Sequence, residues 1–306
     1  MKKIICALAL MLATSLGKSA EPITVKLIVP YPAGGPASDA GRFAQAILNK
    51  NPNLIVVVEN IVGGSGMVGT AAIANSNPTQ LVLGAQNVGL PIQSAIKPQA
   101  YDTNKLIPLL NLGQVPVVLV TSKKFYDSMP DKKWKNIDSS TRITYASSGV
   151  GSGSNFFGEA LKQVSNKNLI HVPYKSGFLS IPDIINGNVD VGVLYLPQAI
   201  SFIQDGKLIP IALEAPHRIS ILPNIPTFRE LGYNNLGGHD WFILFSNKTT
   251  KTAEIEEIKK TFAKFFINDN SMRLLDKNNL FLPTNFIDIE TEKYKKLIKD
   301  YNLVLD

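Results

Sequence analysis

Cysteine occurs once in the 306 residues, at Cys6, and histidine only three times. A single cysteine inside an apolar N-terminal run excludes a disulfide framework and a cysteine-ligated metal site. His171, His217 and His239 are scattered, with no H-E-x-x-H or comparable pairing, so neither a metal nor a catalytic residue is expected. His171 sits in an apolar strand pattern and reads as a hydrogen-bonded structural histidine. Acidic residues are missing altogether between Asn60 and Tyr101. Beyond the N-terminus no apolar run is long enough to cross a membrane. A basic stripe interleaved with aromatics is also lacking. The lysines of 248–264 and 293–299 alternate with Glu and Asp as solvated helix faces do, which excludes nucleic acid as a partner.

What is present is an ordinary globular composition, 45% hydrophobic and 18% charged, which rules out a disordered or fibrous chain. The first twenty residues stand apart. Met1–Lys3 is basic, Ile4–Leu12 is apolar and Ala13–Ala20 is mostly small, the pattern of an export signal with its cleavage point open between Gly17 and Ala20. Cys6 lies mid-way along the apolar stretch, where a lipid anchor would not be attached. Removal of residues 1–20 would take Lys2, Lys3 and Lys18 from the formal charge of +7 and leave no cysteine.

From there apolar strand patterns alternate with helical ones. Strands are expected at Val25–Val29, Leu54–Val58, Leu81–Ala85 and Val115–Thr121, with helices at Asp39–Leu48 and Gly66–Ala74. After a charged, proline-containing break at Lys123–Thr141 the alternation resumes with Ile143–Ser147, Ser154–Val164, His171–Tyr174, Ile181–Ile185, Val189–Leu196, Ala199–Gln204 and Leu208–Leu213. A strand at Trp241–Phe245 and helices at Ala253–Phe266, Ser271–Asn278 and Thr291–Ile298 close the chain. Near-continuous apolar strands separated by helices imply an α/β fold with parallel sheets covered on both faces. Two such units are expected. Residues 21–121 and 233–306 would form the first and 122–232 the second, so that the chain crosses between them twice.

The stretch Gly64–Gly69, GSGMVG, spells G-x-G-x-x-G but fails as a dinucleotide loop. It follows the second strand rather than the first, and no acidic residue stands about 20 positions on to hold a ribose. No Gly-Lys-Ser/Thr completes a P-loop and no G-x-S-x-G elbow occurs. No cofactor is expected. Two other loops carry more chemistry, Pro30–Asp39 (PYPAGGPASD) and Ser147–Asn155 (SSGVGSGSN). Each places small residues where a strand ends and a helix begins, one in each unit. Free backbone N–H groups and the positive end of a helix can hold a carboxylate or phosphate there without a cationic side chain. Ordinary turn and capping chemistry is the alternative for either loop alone. The pair points to a cleft that takes a small dianion.

Over nearly all its mature length the chain resembles the tripartite tricarboxylate transporter substrate-binding family, the Bug-type extracytoplasmic solute receptors. The resemblance rests on Leu27–Arg42, Glu59–Gly69, the Ser147–Asn155 loop, His171–Gly177, Asp183–Val191, Ile203–Leu213 and Arg218–Gly232, in that order. It implies a two-domain periplasmic binding protein of type II-like α/β fold, with parallel-rich sheets and a hinge that closes on a small carboxylate. It further implies a monomer in the periplasm that delivers its ligand to membrane transporter subunits. Carried over by position, the ligand-binding residues would be Tyr31, Ala33, Gly34, Gly35 and Ser38 in the first loop and Gln86 and Asn87 after the third strand. Those of the second unit would be Gly151, Ser152, Gly153 and Ser154, with Tyr174 and Asp190 beside or behind the loop. The chain departs from the family pattern at Ser38, where an aspartate is usual, at Ser176 after Pro173–Lys175, and at Asn77–Gln80. An exported hydrolase-like enzyme acting on an anionic substrate, and a carboxylate sensor, remain as alternatives.

Overall fold

The structure is a computed structural model that describes residues 21–234, 236–237, 240–268 and 280–305. The expected export signal, His239 and the expected helix Ser271–Asn278 lie outside the described residues.

Two five-stranded sheets are built to one plan. In the first, β1 (Ile23–Val29) lies between β2 (Leu54–Asn60) and β3 (Leu81–Asn87), followed by β10 (Asp240–Asn247) and β4 (Leu106–Val115). In the second, β6 (Arg142–Ser147) lies between β7 (Asn168–Pro173) and β8 (Val191–Tyr195), followed by β5 (Val117–Thr121) and β9 (Ile209–Glu214). β10 and β5 each run antiparallel to both neighbours, while the other pairings are parallel. The sheets are therefore mixed rather than purely parallel, and the crossovers explain it. β4 and β9 end at the seam between the units. A strand that crosses the seam enters the other sheet at that end and must run away from it.

The first crossover is a single residue, Pro116, between β4 and β5. The division expected after Thr121 thus falls too late, because β5 pairs with β8 and β9 of the second sheet. The apolar run Val115–Thr121 reads as one strand, but proline has no N–H to donate and breaks the ladder there. The return connection runs from Glu214 to Asp240.

Helices cover both faces of each sheet. α1 (Pro36–Leu48) begins three residues before its apolar face would suggest, because Pro36 at the first helical position presets the dihedral angle. It buries Ala37, Ala44, Ile47 and Leu48 against β1 and packs beside α8 (Thr252–Asn268). α2 (Met67–Ala74), α3 (Gly89–Ile96) and α9 (Phe286–Asp300) line the other face. In the second unit, α4 (Lys123–Ser128) is capped by Ser122 and leads into two short turns that bury Trp134. α5 (Gly153–Ser165) packs on β6 and β7, while α6 (Gly177–Asn186) and α7 (Leu196–Gln204) cover the other side.

Two close approaches seat the helices that matter for the site. A Cβ on Gly41 would come 2.5 Å from Val29 Cγ2, and one on Gly158 would come 2.2 Å from the Tyr145 ring. Each glycine lets the helix after a glycine-rich loop lie against the strand before that loop, which sets where the helix begins. An apolar cluster continues through both units. Phe156 of α5 meets Tyr294 of α9 edge-on at 4.9 Å between ring centres.

Candidate functional site

Parallel strands of an open sheet end at the crevice where ligands bind. Here the carboxyl ends of both sheets face one another across a narrow cleft. The first unit lines it with Tyr31, Pro32, Gly35, Pro36, Ala37 and Asn87, and the second with Ser148, Ser152, Ser176, Tyr195 and Gln198. None of these side chains is charged.

The charge comes from the backbone. α1 opens at Gly35 with no side-chain cap, and Pro36 has no N–H, so the amides of Ala37 and Ser38 lack intrahelical partners. α5 opens at Ser152, whose hydroxyl caps the Asn155 N–H at 3.2 Å. α6 opens at Ser176, whose hydroxyl accepts from Phe178, while Ser148 accepts from the Gly177 N–H at 3.1 Å. α7 opens at Tyr195, where Gln198 Oε1 accepts the Tyr195 N–H at 3.3 Å. Four helices thus present their N-termini to one space, each equivalent to roughly half a positive charge. Such a cleft suits an anion and repels a cation.

The expected site residues divide. Tyr31, Gly35, Asn87 and Ser152 line the cleft. Ala33 and Gly34 are exposed at the tip of their turn instead, and Pro36 and Ala37 take their place on the cleft wall. Ser38 is fully buried on α1 and its Oγ has no protein partner. Gln86 is also fully buried, with Oε1 accepting from Thr70 at 2.5 Å and Nε2 unpartnered. Gly151 faces Gln93 rather than the cleft, and Gly153 belongs to the apolar seam with Val88 and Phe156. Ser154 holds the loop from behind by accepting the Ser148 N–H at 2.9 Å. Tyr174 donates to Asp183 at 2.6 Å, and burial, together with this acceptor, raises its pKa to about 12.

Asp190 departs furthest from expectation. It precedes β8 and so lies at the end of the sheet away from the cleft. Its carboxylate accepts from the Thr144 N–H and hydroxyl, each at 2.7 Å, and thereby ties β8 to β6. Of the residues missed by sequence reading, Ser148 lies within the quoted loop and Ser176 carries a capping signal ahead of Gly177. Tyr195 and Gln198 carried no signal: Tyr195 is buried at the end of an apolar strand and Gln198 in the first turn of α7.

One cluster resembles catalytic machinery. Ser147 Oγ and His171 Nε2 are 2.6 Å apart. Their polarity is wrong for a nucleophile and its base. The Asn155 Oδ1 accepts the Gly151 N–H at 2.8 Å, which turns its Nδ2 donors toward His171 Nδ1 and the Tyr145 hydroxyl. Nδ1 must then be the acceptor, and Nε2 carries the proton and donates it to Ser147. Burial lowers the His171 pKa to about 4, and Ser147 is itself fully buried. The cluster fixes the second loop, since Ser147 Oγ also accepts the Gly149 N–H at 3.1 Å. Among the described residues no three His, Cys, Asp or Glu side chains gather as a metal cage.

Comparison with known proteins supplies the family. Residues 41–303 match the family described as Tripartite tricarboxylate transporter family receptor. The chain belongs to that family. Protein BugT of Bordetella pertussis is 27% identical over 231 residues, which cover 74% of this chain and 71% of that protein. MatC of Rhodopseudomonas palustris, solved with bound malate, superposes with a TM-score of 0.77 at 21% identity over 92% of this chain and 99% of that one. A second R. palustris protein, solved with adipate, gives a TM-score of 0.79 at 21% identity over 94% and 99% of the two chains. These superpositions establish the two-domain α/β fold. Family membership makes the chain a solute-binding receptor rather than an enzyme.

Proposed function

We propose that this receptor captures a small organic acid in the cleft, by closure of its two lobes, and delivers it to a tripartite-type membrane transporter. The observation that carries the reading is the convergence of four helix N-termini on a space lined by no charged side chain. A carboxylate there would accept from the open α1 amides of Ala37 and Ser38 on one side and from the α5 turn at Ser152 on the other. Tyr31 and Tyr195 would cover it, and Asn87 and Gln198 would supply neutral hydrogen-bonding groups. Neither lobe holds both halves of this site, so closure about Pro116 and the Glu214–Asp240 connection is needed for tight binding. The malate and adipate bound by the two R. palustris relatives have the chemistry expected of the ligand. The expected export signal supports work in the periplasm.

Mass spectrometry of small molecules released from the purified protein, with a thermal-shift screen of organic acids, tests the reading. A ligand at 100 times its Kd raises stability by about 2.7 kcal/mol, a readily measured shift. A protein that binds only cations or neutral sugars would refute it. Loss of organic-acid uptake on deletion of the gene tests delivery to a transporter.

A further inference from the structure

The turn between β2 and α2, Gly63–Gly66, lines no part of the cleft, yet it reaches the other lobe. The Ser65 hydroxyl donates to the Val150 carbonyl at 2.6 Å. Gln93 Nε2, from α3, donates to the same carbonyl at 3.2 Å. Both lone pairs of one second-lobe carbonyl are therefore taken by first-lobe side chains. Ser65 does this from φ 50°, ψ 39°, the left-handed region that favours glycine. A backbone outlier of this kind persists only where surrounding contacts compensate for it.

The residues on either side of Val150 have no side chains. A Cβ on Gly149 would lie 3.2 Å from Ser65 Oγ, and one on Gly151 would lie 2.2 Å from Gln93 Nε2. On the near side, the Tyr31 hydroxyl donates to the Ser65 carbonyl at 2.9 Å. Tyr31 thus bonds the cleft directly to this turn.

We propose that Ser65 and Gln93 are affinity-determining residues that never touch the ligand: they latch the closed state through Val150, and Tyr31 couples the cleft to the latch. The proposal rests on the carboxylate-receptor reading for its ligand but not for its geometry. Apparent affinity scales with the fraction of receptor able to close. Removing a bond made only on closure speeds release more than it slows capture.

The test uses the full chain in a Cys6→Ser background with spin labels on Val62→Cys and Leu179→Cys, exposed positions in the two lobes. Interlobe distances are measured with no additive, with malate and with adipate, and release and capture rates are measured by stopped flow. Ser65→Ala and Gln93→Leu should shift the distances toward the open form and speed release roughly two- to tenfold, the worth of one hydrogen bond. Capture should change less than twofold. Ser65→Gly relieves the backbone and deletes the hydroxyl, so it should behave as Ser65→Ala does. Variants that match the wild type in distance and release overturn the latch while leaving the carboxylate reading intact. If neither acid binds the wild type but the distances still shift in the variants, the latch stands and malate and adipate are excluded as its ligands. A wild type with no closed population under any condition overturns the latch.

Discussion

Asn87 Nδ2 donates to the Tyr195 hydroxyl at 3.0 Å, so the ends of β3 and β8 are joined directly across the cleft. Asn87 Oδ1 is held in place by the Gly89 N–H at 3.0 Å, which fixes the amide for this contact. Tyr195→Phe keeps the ring packed edge-on to Phe242 and removes only the hydroxyl. The expected result is a two- to tenfold weaker Kd for an organic-acid probe, with little change in the melting temperature of the free protein. Calorimetric titration and a melt of the same sample check both halves.

Gly151→Ala should act more strongly. Its φ of +71° adds about 1–2 kcal/mol for a residue with a side chain, and the new Cβ would meet Gln93 Nε2 at 2.2 Å. Binding should weaken at least tenfold. Combining it with Gln93→Ala should restore part of the loss, because the space is then open while the backbone cost remains. An additive double variant would refute the contact.

Asp190→Asn separates a structural role from a binding one. The charged carboxylate accepts two hydrogen bonds from Thr144, and hydrogen bonds to charged groups contribute about 1.5–3 kcal/mol. The variant should unfold at lower denaturant concentration and bind an organic-acid probe within twofold of the wild type. A large loss of affinity at unchanged stability would return Asp190 to the binding site.

The polarity of the strands explains why some of this was legible and some was not. The loops Pro30–Asp39 and Ser147–Asn155 stand out because each places small residues between a strand and a helix, one in each unit. Both do flank the cleft. That Asp190 lies away from it was also readable, since a residue that precedes a parallel strand sits at the end opposite its ligand loops. That Ser148, Ser176 and Gln198 share one wall of the cleft follows from the pairing of β6 with β7 and β8, which sets the starts of α5, α6 and α7 side by side. The antiparallel entry of β5 and β10 follows from the crossovers, and composition alone cannot distinguish an apolar parallel strand from an apolar antiparallel one. The Gly64–Gly69 motif showed its glycines clearly. That Ser65 among them touches the other lobe required the tertiary structure.

His171 should make the protein sensitive to acid in a defined window. Its native pKa is lowered from 6.5 to about 4 by burial, and Nδ1 faces the Asn155 amide, a donor that opposes a second ring proton. As pH falls below about 6.5, the unfolded chain takes up a proton that the native state refuses. Stability is therefore lost progressively down to about pH 4 and is fully present above the unfolded pKa. His171→Gln removes this term. The variant should be less stable than the wild type at pH 7.5, because Ser147 and the second loop lose their anchor. The gap should narrow as pH is lowered toward 4.5, since only the wild type carries the histidine penalty. Thermal melts of the two proteins across that range decide it: a gap independent of pH would mean that His171 titrates as freely in the native state as in the unfolded chain.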